Sequence, residues 1–109
     1  MDIELKAGDS YDIVLTVTEE DGSPTPLNEV DVFWFMTVAW HRLPTLEKTL
    51  GQGVQAEDGE ITITVDPADT AALRGDYWHQ CRVRDAIGQE YTVASGKLSI
   101  KPSTAKHMN

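Results

Sequence analysis

EITITVDPADTAALRGDYWHQCRVRD, residues 60–85, reads as a strand, a helical turn and a second strand. Ile61, Ile63 and Val65 alternate with Glu60, Thr62 and Thr64, the period of a strand buried on one face. Asp66 then suits a helix N-cap, Pro67 the first helical position and Asp69 the positive end of the helix, while Gly75 can close it. This predicts a helix of about two turns, anchored to the core by Leu73. From Asp76 to Asp85 the period returns to two. Tyr77, His79, Cys81 and Val83 share the apolar face, and Trp78, Gln80, Arg82 and Arg84 share the other.

The same alternation extends in both directions. Upstream, Tyr11, Ile13, Leu15 and Val17 form one face of a strand, with Val14 the lone apolar residue on the other; Asp21-Gly22-Ser23-Pro24 ends it in a turn. Glu29 to Trp40 places Val30, Val32, Trp34, Met36 and Val38 on one face. His41 to Ala56 shows no clear period around a short strand near Lys48 to Leu50, and Glu57-Asp58-Gly59 is a turn. Downstream, Ala86-Ile87-Gly88-Gln89 is a turn before Tyr91 and Val93. The alternation slips by one before Leu98 and Ile100, which predicts a bulge or kink at Gly96. With Ile3 to Leu5 as an edge strand, the pattern predicts an antiparallel β-sandwich of about seven strands and one short helix, residues 1–102. Residues 103–109 carry no period and read as a flexible tail.

Composition narrows the function classes. The chain has 109 residues, 40% hydrophobic and 25% charged, and a net charge of −9 from 9 Lys+Arg against 18 Asp+Glu. That balance repels nucleic acid over most of the surface. No run approaches the roughly 18 apolar residues of a membrane span. No basic, apolar leader opens the sequence, which points to synthesis and retention in a cytoplasm. The single Cys81 excludes an intrachain disulfide and a cysteine-built zinc site.

Catalytic patterns were sought and none fits. His41, His79 and His107 lack metal-ligand spacing, and His79 and Cys81 alternate with core residues. Ala94-Ser95-Gly96 lacks the first glycine of a nucleophile elbow. Gly51-Gln52-Gly53-Val54-Gln55-Ala56 matches a dinucleotide fingerprint in letters alone, since no clear strand precedes it and no helix follows. The acidic turns lack the spaced oxygen ligands of a calcium loop. The expectation is a non-enzymatic domain with no catalytic, cofactor or metal residues.

One feature departs from a plain soluble domain. The second face of the Glu29–Trp40 strand carries Phe33 and Phe35, with Trp40 beyond them, where polar residues would be ordinary. If that strand neighbours Asp76–Asp85, Trp78 joins the same surface. Phe33, Phe35, Trp40 and Trp78 are therefore the candidate partner interface; the other reading is that the segment His41 to Ala56 folds over them.

Lys6-Ala7-Gly8-Asp9 before a strand, Asp21-Gly22-Ser23-Pro24, Pro26-Leu27-Asn28, the stretch Ile61 to Tyr77 and the final Val93 to Ile100 together resemble the small Ig-like modules of tailed bacteriophages, similar to the N-terminal domain of baseplate upper proteins. The resemblance covers most of the chain, with Gly51 to Ala56 and the Phe33/Phe35 face departing from it. It implies an Ig-like sandwich and a structural role in a virion, made in the host cytoplasm and docked on other virion proteins of the tail, baseplate or capsid, or on a second copy. The alternative in a different class is an Ig-like module that recognises carbohydrate or a cell-surface protein.

Overall fold

The computed structural model describes residues 1–38 and 43–102. The strands are β1 (Ile3–Lys6), β2 (Tyr11–Thr16), β3 (Asp31–Thr37), β4 (Leu46–Leu50), β5 (Gly53–Glu57), β6 (Glu60–Val65), β7 (Gly75–Arg84) and β8 (Glu90–Lys101), with α1 (Pro67–Thr70) between β6 and β7. They form one sheet in the order β1-β8-β7-β3-β4-β5-β6-β2, curled nearly into a barrel. There are thus eight strands rather than about seven. The sheet is mixed rather than antiparallel, because β1 runs parallel to β8 and β4 parallel to β5. The extra strand, β5, comes from the segment whose period was obscure. Gly51 and Gly53 adopt φ of 85° and 98° there, so the chain reverses within a few residues and pairs only Thr49 with Gly53 and Leu50 with Val54 in parallel.

The alternating residues meet in one core. Ile3 and Leu5 of β1, Ile13 and Leu15 of β2, Trp34 and Met36 of β3, Ile61 and Ile63 of β6, Cys81 and Val83 of β7 and Leu98 and Ile100 of β8 are all buried in it. Burying an aliphatic side chain of this size contributes roughly 1.5–3 kcal/mol, so the inward face of the curled sheet is the main source of stability. Val14 is exposed, as its place on the polar face requires, and so is Tyr11, which begins β2. At the end of β3 the alternation breaks. Thr37 is buried and Val38 is 52% exposed, the reverse of the sequence expectation.

The helix is a single turn. Asp66 is its N-cap, and the Asp66 N–H donates to the Asp69 carboxylate at 2.8 Å. Lys48, pointing inward from β4, reaches Asp69 at 2.7 Å with both side chains largely buried. Burial pushes the Asp69 carboxyl up, but Lys48 and the Asp66 N–H outweigh it, so its pKa lies below the ordinary value. The turn ends at Thr70, which is buried and accepts from Gly8 N–H at 3.0 Å. Gly75, with φ of 98°, therefore opens β7 instead of capping the helix. Leu73 packs against the core as expected.

β8 does contain a bulge, three residues before the predicted place. Cys81 pairs with Ala94 and Arg82 with Thr92, which leaves Val93 as the extra residue. Gly96 has a different role. A Cβ there would fall on the Met1 carbonyl, because residues 1 and 2 cross β8 at that point. Met1 N donates to Ser95 O at 2.7 Å, and Lys97 N–H donates to the Asp2 carboxylate at 3.0 Å.

Candidate functional site

The register of β3 with its neighbours builds the aromatic face. On β7, Arg82 stands opposite Phe33, Gln80 opposite Phe35 and Trp78 opposite Thr37. On β4, Thr49 stands opposite Phe33 and Glu47 opposite Phe35. Paired residues share a side of a sheet, so Phe33, Phe35 and Trp78 lie on the outward face, behind the wall that buries Trp34, Met36 and Cys81. Phe33 and Phe35 are half-buried and Trp78 is 42% exposed. The covering-loop reading is settled for part of the segment: Leu46–Leu50 runs beside β3 as β4, in the plane of the sheet. Leu43 reaches the far end of β3, where its carbonyl accepts from the Thr37 hydroxyl at 3.5 Å. Trp40 and His41 lie outside the described residues, as does the predicted tail 103–109.

The surroundings of the rings are charged but largely self-neutralised. The Arg84 guanidinium lies 6.0 Å from the centroid of the Phe33 ring, at the limit of a cation–π contact. Arg84 also approaches Glu90 at 3.7 Å and Asp31 at 4.0 Å, and Arg82 approaches Glu90 at 3.9 Å. These groups are exposed, and pairs of this kind contribute about 0–1 kcal/mol. A shallow groove of about 330 Å³ runs along Phe33 and Phe35 between Glu47, Thr49 and Arg84. Its floor is ring carbon and its rim is charged, the arrangement of a protein contact with an apolar centre and a polar edge.

Behind this face sits a buried polar chain that sequence reading reduced to a core histidine. Trp34 Nε1–H donates to His79 Nδ1 at 3.3 Å, and His79 Nε2 lies 2.7 Å from the Met1 carbonyl. Those partners fix the neutral tautomer with its proton on Nε2. Burial pushes the His79 pKa down, with the Met1 carbonyl opposing it. Cys81, opposite Trp34, is fully buried, and burial pushes its thiol up to about 12. Among the described residues no cluster of three or more His, Cys, Asp or Glu could hold a metal ion.

Gly51 and Gly53, the letters of the dinucleotide fingerprint, shape the turn into β5, and no helix follows them. Comparison with protein-family models and with curated proteins finds no match for the chain.

Proposed function

We propose that this protein is a non-enzymatic structural component of a tailed-phage virion, an Ig-like sandwich that docks on other virion proteins through the outward face of β3 and β7. The observation that carries the docking role is the aromatic row of Phe33, Phe35 and Trp78 on a surface whose outward side is otherwise charged. Burying what remains exposed of each ring contributes on the order of 1 kcal/mol, offset by the rigid-body entropy of association. The net charge of −9 favours a partner with a basic or neutral docking face over a second copy.

The Ig-like part of the reading is supported by three features. Parting the sheet at its two-residue β4/β5 contact leaves β1-β8-β7-β3-β4 facing β5-β6-β2, an arrangement that suits a sandwich of variable-domain type. The largest fully buried side chain, Trp34, stands on the third strand, where Ig domains place their core tryptophan. The Tyr77 hydroxyl donates to Arg74 O at 3.1 Å across the corner before β7, which resembles the tyrosine corner of such domains. This corner ends the stretch Ile61 to Tyr77 that resembles the phage modules.

The test combines location with mutation. An antibody to the chain, imaged on purified phage particles, is expected to decorate them. Phe33→Ser with Phe35→Ser, and separately Trp78→Ser, should leave far-UV circular dichroism unchanged and abolish incorporation. Incorporation of all the folded variants would refute the docking face, and absence of the chain from particles would refute the virion role.

A further inference from the structure

A second surface, away from the aromatic face, lies at the seam where the curled sheet fails to close. β2 and β1 are its end strands. β2 is hydrogen-bonded to β6 alone, and β1 covers only Leu98–Lys101 of β8. The first half of β8 therefore has β7 on one side and no strand on the other, among the described residues. Between that half of β8 and the end of β2 runs a groove of about 590 Å³, floored by Val17 and Val93 and walled by Thr16, Thr92 and Tyr91. It shares Glu19, Thr25 and Tyr91 with a second groove of about 460 Å³ that continues toward Val30 and the Asp85–Ile87 turn.

We propose that this seam takes up an extended, lysine- or arginine-bearing segment of a partner chain as an added strand. Two open strand edges supply backbone donors and acceptors that an extended peptide can pair with, and side-chain alternation then sets specificity. At about 3.3 Å rise, 4.8 Å strand spacing and 10 Å layer depth, the larger groove accommodates roughly three to four residues of extended chain. The bulge at Val93 interrupts the β8 edge, so the added strand pairs with Glu90–Thr92 in one register rather than sliding. Charge selects the occupant. Glu19, Glu29 and Asp85 line the two grooves and no lysine or arginine does, so a basic segment is complementary. A second copy of this chain, itself at −9, brings like charge to the seam.

Selection from a library of random dodecapeptides on the immobilised full chain tests this. Enriched peptides should alternate β-branched residues with lysine or arginine. A synthetic peptide of the enriched sequence should slow amide exchange in residues 14–17 and 90–92. Its affinity should fall at least tenfold in Glu19→Lys/Glu29→Lys, and should be unchanged in Phe33→Ser/Phe35→Ser, which separates this site from the aromatic face. No enrichment, enrichment of acidic peptides, or protection confined to the outward face of β3 and β7 would each overturn the proposal. Protection of the seam by self-association, measured by sedimentation, would overturn the choice of occupant.

Discussion

Gly96→Ala adds one methyl group to β8, and two arguments give opposite signs for its effect. Strand propensity favours the change, since a glycine inside a strand is about 0.5–1 kcal/mol worse than alanine, and Gly96 does not occupy the left-handed region. The contact argument opposes it. The new Cβ would fall on the Met1 carbonyl and approach Met1 N at 2.9 Å, and both are backbone atoms that must move as a unit. Moving them breaks the bond from Met1 N to Ser95 O, the bond from Lys97 N–H to Asp2 and the contact of His79 Nε2 with the Met1 carbonyl. At about 1 kcal/mol for each bond, and about 1–3 kcal/mol for leaving a buried imidazole N–H without a partner, the contact argument wins. The net expectation is a loss of roughly 2–4 kcal/mol.

Thermal unfolding followed by circular dichroism measures the effect, with a lowering of Tm by roughly 4–8 °C for each kcal/mol in a domain of this size. A double-mutant cycle isolates the cause. In a chain from which Met1 and Asp2 have been removed by cleavage of a tag, Gly96→Ala should no longer destabilise and should gain the small propensity term. A loss of equal size in both backgrounds would refute the contact argument, as would a stabilised Gly96→Ala in the full chain.

Two further outcomes are expected. Cys81, fully buried with its thiol pushed up to about 12, should resist a disulfide reagent at pH 8 until denaturant is added, and rapid stoichiometric labelling of the native protein would place the β7 register one residue out. His79 has a folded pKa below its ordinary 6.5, so the unfolded chain binds the extra proton more readily, and its contribution to stability is present above pH 6.5 and lost as pH falls through the folded value; urea midpoints between pH 8 and pH 5 should decline, and an equal decline in His79→Gln would refute the assignment.

How much of this was legible in the sequence depended on whether a residue's neighbours were local. β2, β6 and β7 were readable because each keeps strict alternation, and their apolar residues need only one inward side whatever strand lies beside them. The acidic turn before β6 was readable for the same reason: Gly59 has φ of 81° and a Cβ would meet Pro24 at 2.6 Å, so glycine is required on two counts. β5 was not readable. Its five residues hold one fully buried side chain, Val54, and its pairing depends on a reversal through Gly51 and Gly53 that has no period of its own. The parallel pairing of β1 with β8 joins residues about 95 positions apart, such as Ile3 with Leu98, and nothing in either segment encodes direction.

Gly96 shows how a correct signal acquires the wrong cause. The slip in alternation between Val93 and Leu98 is real, and a glycine inside it is the obvious suspect. The bulge instead sits at Val93, a residue able to bend the strand while keeping its side chain against the core. The glycine is demanded by a backbone arriving from the far end of the sequence. The candidate sites divide in the same way. Phe33 and Phe35 announced themselves because two aromatic residues on the polar side of an alternating strand violate a local rule. The seam between β2 and β8 violates none: Val17, Tyr91 and Val93 each fit their own strand, and the groove exists only because β1 stops short of covering β8. A surface made by the absence of a neighbour leaves no pattern in the residues that line it.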